Sequence, residues 1–153
     1  SGLSGSGKST TARKLAQELN AIHLRSDAVR KHLGGIALDE KGDDSLYSPE
    51  MTQKTYDRLL QLGTLLASQG FTVILDAKYD RQALRAPVIE KAQAYNIPLE
   101  ILYCTAPEEV LRDRVSQRSG DISDADAAIL AQQSMEPFSA TEQPFVKTID
   151  TSA

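Results

Sequence analysis

The first ten residues, SGLSGSGKST, hold the densest chemistry in the chain. Gly2 to Ser9 match G-x-x-x-x-G-K-[ST] at every fixed position. Glycine lets a backbone enter conformations closed to other residues and approach a ligand closely. Consecutive N–H groups then turn inward as a nest for phosphate oxygens. A helix beginning near Lys8 adds its unpaired N–H groups and the positive end of its dipole. Lys8 would reach the β- and γ-phosphates, and the Ser9 hydroxyl can ligate Mg²⁺. Ser4, Gly5, Ser6, Gly7, Lys8, Ser9 and Thr10 are therefore the candidate nucleotide-binding residues. A flexible Gly/Ser leader would have the same composition, but this run flows straight into an amphipathic helix. Such a loop joins a strand to a helix, so a strand is expected directly before Ser1, in a chain trimmed at one or both ends.

A phosphate cradle specifies a nucleotide and no reaction. The discriminating residues are expected at strand ends, where open α/β sheets bind their ligands. HLRSDAVRKHL places Arg25, Ser26 and Asp27 after one strand, and ILDAKYDR places Asp76 and Lys78 after the next. Two carboxylates beside a cradle suit two tasks: holding Mg²⁺, directly or through water, and accepting a proton from an attacking hydroxyl. Asp27 and Asp76 are the candidates for these two tasks. The competing explanations are structural: Asp27 as the N-cap of a short helix, and Asp76 as a hydrogen-bonded end-of-strand turn. Glu108 and Arg112 have the spacing of a helical ion pair. Arg114 and Arg118 share another face and could close over a triphosphate, supplying positive charge during transfer. A solvated helix face is the alternative. Arg81 and Arg85 could hold an anionic acceptor, and a surface face explains them equally well. His23, His32 and Cys104 receive no role.

The elements that must position these groups alternate. Residues 8–19 read as a helix and 21–24 as a short buried strand. Ser48 and Pro49 have the chemistry of an N-cap and first helical residue, and Gly70 closes that helix. Met51, Thr55, Leu59, Leu62 and Leu66 fall on one face of it. FTVILD at 71–76 is apolar on both faces, as a central parallel strand requires. A helix over 81–95, a strand over PLEILYC, a helix opened by a Thr105–Glu108 capping box, a helix from Asp124 to about Glu136 and a strand over FVKTID complete the pattern. The stretch from Gly34 to Tyr47 is long and polar, the mark of an acceptor-side flap or disorder. Strands alternating with helices imply right-handed crossovers and a parallel sheet covered on both faces: one α/β domain over residues 1–153.

Bulk properties exclude several classes. Nothing approaches the run of about 18 apolar residues needed to span a membrane. One cysteine permits no internal disulfide, in keeping with a cytoplasmic setting. A net charge of −4 disfavours a nucleic-acid platform.

GLSGSGKST, RSDAVRKHL, LYSPEMTQKTYDRL, GFTVILDAKY and LRDRVSQRSGD, in this order, resemble the AAA_33-type P-loop kinase-like family. The resemblance is greatest to ATP-binding domains found beside an aminoglycoside-phosphotransferase-like domain. It extends more distantly to gluconate kinase, adenylylsulfate kinase, polynucleotide 5′-kinase and zeta toxin. It implies a three-layer, adenylate-kinase-like core with a five-stranded parallel sheet, whose first strand leads into the glycine loop. It also implies MgATP as donor, Asp27 near the acceptor hydroxyl, and Arg114 and Arg118 on a lid. Related domains often read Asp-Ala-Thr-Tyr where this chain reads Asp76-Ala77-Lys78-Tyr79, which adds a cation near the phosphates. No run of adjacent acids or small helical domain suggests a hexameric motor. The expectation is an ATP-dependent kinase acting on a hydroxyl of a small molecule, with a fused phosphotransferase-like domain as a candidate partner. A nucleotide-sensing regulatory module and a polynucleotide 5′-kinase are the alternatives.

Overall fold

A computed structural model describes residues 1–36, 44–119 and 133–152, without the side chains of Asp44 and residues 117–119. The described strands are β1 (Ile22–Arg25), β2 (Val73–Asp76), β3 (Ile101–Thr105) and β4 (Val146–Asp150). The helices are α1 (Lys8–Leu19), α2 (Ser26–Leu33), α3 (Pro49–Ser68), α4 (Gln82–Ala94) and α5 (Glu108–Ser119). All pairing is parallel, as expected of an α/β chain, with Arg25 opposite Asp76 and Thr105 opposite Asp150. The strands form two pairs, β1–β2 and β3–β4, and do not join in one continuous sheet. Between the pairs lies a cavity of about 670 Å³, walled by residues such as Leu15, Leu60, Ile74 and Leu102. Ser1 stands at this position and pairs as a strand residue would: its amine donates to Leu102 O and its carbonyl accepts from Cys104 N, both at 2.8 Å.

Pleating sends neighbouring side chains to opposite faces, and the two faces of β1–β2 do different work. Leu24 and Leu75 turn towards α3, joining a core of Tyr56, Leu59, Ala77 and Tyr79. His23 and Asp76 turn to the other face, where Asp76 meets Ser9 of α1. Helices thus cover both faces, the arrangement that an unbroken apolar strand requires.

α3 starts as its sequence demands: Ser48 Oγ accepts from Met51 N at 3.1 Å and Pro49 occupies the first turn. Thr55 and Leu59 on the expected stripe are fully buried. Gly63, also buried, lets α3 approach β2; a Cβ there would lie 2.9 Å from Leu75 Cδ2. Gly63→Val should therefore destabilise the domain by about 1–3 kcal/mol through overpacking, read from chemical denaturation. Unchanged stability would show that Leu75 yields freely.

Two expectations need correction. α5 begins at Glu108, so Glu108 is its first residue and no box forms with Thr105; Thr105 stays in β3, where its carbonyl accepts from Thr151 N at 2.9 Å. The far end of the connection expected to be loose is packed: residues 44–47 form a 3-10 turn with Leu46 buried. Residues 37–43 of that connection lie outside the described residues, as does most of the helix expected from Asp124; Gln133 to Glu136 are irregular.

Candidate active site

The glycine loop owes its shape to two left-handed glycines, Gly5 at φ 84° and Gly7 at φ 80°. Both are also hemmed in. A Cβ on Gly5 would lie 2.7 Å from Leu111 O, and one on Gly7 3.1 Å from Thr151 Oγ1. Gly7 is the N-cap of α1 and brings no side chain to cap it. The amides of Gly5, Gly7 and Ser9 meet no acceptor among the described residues. The buried Ser6 hydroxyl also lacks a partner. Buried polar groups are normally satisfied, so such a cluster of open donors at a helix N-terminus fits an anion. The Gln133 side chain brackets Ser4, accepting from its amide at 3.0 Å and donating to its carbonyl at 3.4 Å.

At the end of β2 the Asp76 carboxylate is 5% exposed. Its Oδ2 accepts from Ser9 Oγ at 2.8 Å and lies 2.8 Å from His23 Nε2. No backbone amide among the described residues holds it, so the turn explanation is not what they show. His23, for which sequence reading finds no role, orients this carboxylate. Periodicity could not reveal this, because the partner lies 53 residues away on the neighbouring strand. Asp27 lies in the first turn of α2, whose N-cap is Arg25. The capping explanation for Asp27 therefore fails as well. Its carboxylate is exposed and makes no hydrogen bond among the described residues.

These groups converge on one polar pocket of about 290 Å³. Ser4, Lys8, Ser9 and Asp76 line it together with residues that include Arg25, Asp27, Arg30, Tyr47, Lys78 and Asp80. In a chain of net charge −4 this pocket gathers four cations against three carboxylates. Burial draws the Lys78 ammonium below its ordinary pKa, opposed by the charges of Asp80 and Asp27. Burial also pushes the Tyr56 hydroxyl up to about 12, so it lines the pocket as a neutral group.

The arginines sort differently from expectation. Arg112 pairs with Glu108 at 2.8 Å on the surface, as predicted. The Arg114 guanidinium is not at the pocket: it donates to Gly5 O at 3.1 Å, to Thr151 Oγ1 at 2.9 Å and to Thr151 O. Thr151 Oγ1 in turn donates to Ser6 O at 2.5 Å. Arg114 thus braces the glycine loop against the end of β4 from behind. The Arg118 side chain lies outside the described residues. Arg81 is exposed and reaches Ser134 Oγ at 3.3 Å. Arg85 is neither on the surface nor at the site; it is 1% exposed and ion-pairs with Glu142 at 2.5 Å. No group of three or more His, Cys, Asp or Glu suited to a metal occurs among the described residues, and none of their helices is long and apolar enough to cross a membrane.

Comparisons with known proteins agree with this geometry. An uncharacterized protein of Mycobacterium tuberculosis (strain ATCC 25618 / H37Rv) is 34% identical over 131 residues, covering 83% of this chain and 26% of that protein. The chain thus spans about a quarter of the curated relatives it matches. Among solved structures, Mycobacterium tuberculosis APS kinase CysC in complex with AMPPNP and APS superposes with a TM-score of 0.70 at 22% identity, covering 100% of this chain and 86% of that one. A gluconokinase from Sinorhizobium meliloti 1021 gives 0.67 at 18% identity, with 99% and 80% covered. Chaetomium thermophilum Kti12 in complex with ADP-AlF3 gives 0.73 at 17%, with 99% and 87% covered. At these identities the likeness is one of fold. The family model described as an AAA domain, AAA_33, matches residues 1–137, which hold the glycine loop and both strand-end carboxylates, and the chain belongs to that family.

Proposed function

We propose that this domain transfers the γ-phosphoryl group of ATP to a hydroxyl of a small-molecule acceptor. One observation carries the reading: Lys8, the Ser9–Asp76 pair and the unbonded carboxylate of Asp27 line a single pocket. The open amides of the loop would hold the phosphates, with Lys8 at the β- and γ-positions. Ser9 and the buried Asp76 carboxylate are hard oxygen donors of the kind Mg²⁺ takes. Bound there, the ion would neutralise charge on the phosphates. Asp27 would accept the hydroxyl proton while the acceptor oxygen bonds to phosphorus and the bridging oxygen leaves with ADP. The pocket walls would exclude water that otherwise competes for the phosphoryl group.

A nucleotide-sensing module within a longer protein is the competing reading, favoured by the length of the relatives. Asp27→Asn separates the two. Under the kinase reading it should lower acceptor-dependent transfer by about 10²–10⁴, the usual worth of a general base, with MgATP affinity nearly unchanged. Transfer would be followed with labelled ATP and a panel of sugars, nucleosides, aminoglycosides and 5′-hydroxyl oligonucleotides. A variant as active as the parent, or a parent that binds ATP tightly and phosphorylates nothing, would move the assignment to the sensor.

A further inference from the structure

Besides Lys8 and Asp76, the pocket is lined by three cations (Arg25, Arg30 and Lys78) and two carboxylates, Asp27 and Asp80. Lys78, and part of the Arg30 guanidinium, are not spent on structure. Arg30 is 9% exposed. Its Nη1 donates to Leu46 O at 2.7 Å and to Thr52 Oγ1 at 3.0 Å, yet its buried Nε–H has no acceptor. A buried guanidinium donor left open in a ligand pocket is costly unless something in the functional complex satisfies it. The Lys78 ammonium makes neither an ion pair nor a hydrogen bond among the described residues. It is half-buried, and burial lowers its pKa, so its charge is poorly solvated.

The position of Lys78 is no accident of a loose surface chain. Its carbonyl accepts from Gly2 N at 3.0 Å and from Ser1 Oγ at 2.8 Å. The next residue, Tyr79, is held in the left-handed region at φ 47°, with its amide donating to Tyr56 Oη at 3.3 Å and its carbonyl accepting from Arg85 at 2.9 Å. Left-handed backbone at a bulky residue persists only where its surroundings over-determine it. The same bonds that impose it fix the root of the Lys78 side chain at the pocket wall.

We infer that the acceptor is an anion: a small hydroxylated molecule bearing a carboxylate or a phosphate-type oxyanion, which Lys78 and the Arg30 guanidinium bind while the hydroxyl faces Asp27. This rests on reading the pocket as the acceptor site of a kinase. The whole pocket, about 290 Å³, lies just below the usual range of ligand pockets, roughly 300–1,000 Å³, and is shared with the phosphates, which suits a small acceptor such as a hydroxy acid. The anion offsets the uncompensated positive charge, and it supplies the acceptor that Arg30 lacks. Distance between the anion and the reacting hydroxyl then fixes which hydroxyl is presented, so the same contact selects the molecule and its regiochemistry.

The test uses the full-length protein saturated with MgADP, so that the glycine loop is filled and cannot report a second anion. Matched probes are titrated by calorimetry: glycerate against glycerol, gluconate against glucose, ribose 5-phosphate against ribose. At least one anionic member should bind about tenfold or more tightly than its neutral partner, the value of a charge-assisted hydrogen bond. Lys78→Gln should lower that anion-to-neutral affinity ratio about tenfold, and Lys78→Arg should restore most of it. Equal affinity for both members of every pair, or an unaltered ratio in Lys78→Gln, overturns the inference. Labelled-phosphoryl transfer to the same six compounds is measured in parallel. Anion binding without transfer would retain the charge-reading pocket and remove the kinase reading. Transfer to neutral members in preference to anionic ones would do the reverse.

Discussion

Lys8→Ala is expected to reduce phosphoryl transfer by about 10³ or more, and to weaken ATP binding as well. In the proposed reaction the glycine loop would supply amides that bind phosphate in the ground state as well as the transition state. Lys8 is the full positive charge of the glycine-loop motif, and in the proposed reaction it would stand where negative charge shifts towards the leaving oxygen. Removing one preorganised stabiliser of developing charge costs about 10²–10³ in rate, and a formal charge in a partly dry pocket is worth more than a neutral donor. Ground-state binding should also weaken, because the same ammonium meets the β- and γ-phosphates. The measurement is single-turnover transfer with MgATP, alongside ATP binding by equilibrium dialysis. The fold should survive, since the loop is braced from behind by Arg114 and Thr151 and not by Lys8 alone. A variant that retains normal transfer would remove the phosphate-binding role of the loop, and with it the functional reading.

Much of this machinery was legible because it is local. A motif of eight residues can be read without a fold, as can the cap at Ser48, whose partner is three residues on, and the Glu108–Arg112 pair one turn apart. What escaped was set by long-range contacts. Arg114 has the spacing of a lid residue, but its partners are Gly5 and Thr151, 109 and 37 residues away. A single helix cannot reveal which neighbour its charged face will meet. Arg30 and His23 were invisible for the same reason: one sits in a short helix that looks solvated, the other on a strand that looks merely apolar. The failed capping box at Thr105 has a related cause. Pairing with β4 held Thr105 in strand geometry, and tertiary pairing overrode a weak local preference. Lys78 stood out in the sequence only as a departure; its meaning needed the pocket around it.

Arg85 presents the same problem in its sharpest form, and its replacement should have the largest effect on stability. Arg85→Met is expected to cost about 3–5 kcal/mol, the usual penalty for removing one partner of a buried ion pair. The guanidinium is 1% exposed and saturates its donors: Nε and Nη2 on Glu142, Nη1 on Tyr79 O, and Nη2 again on Glu136 O and Pro137 O. It also lies 4.2 Å from the centre of the Phe138 ring. One side chain thus fastens residues 135–142 to the turn after β2. In the variant Glu142, 3% exposed, would keep its burial but lose its counter-ion. The pH dependence distinguishes this from a simple packing loss. Burial alone would raise the Glu142 pKa; the hydrogen bond and charge of Arg85, with bonds from Ser139, overcome it and hold the group below its ordinary value. A carboxyl depressed in the folded state adds stability above its unfolded pKa and loses it as the pH falls through its folded pKa. Without Arg85 the burial effect is no longer opposed by that charge, so much of the contribution is lost. The gap between parent and variant should therefore be widest near neutral pH and narrow as the pH drops through and below the usual glutamate range. Denaturant titrations at several pH values would show it. If Arg85→Met does not fold well enough to titrate, Glu142→Gln should show a smaller loss with the same narrowing. A gap independent of pH in both variants would mean that Arg85 acts by packing alone. Because the same bonds hold Tyr79 in its left-handed conformation beside Lys78, loss of Arg85 should also loosen the pocket wall in whatever fraction stays folded.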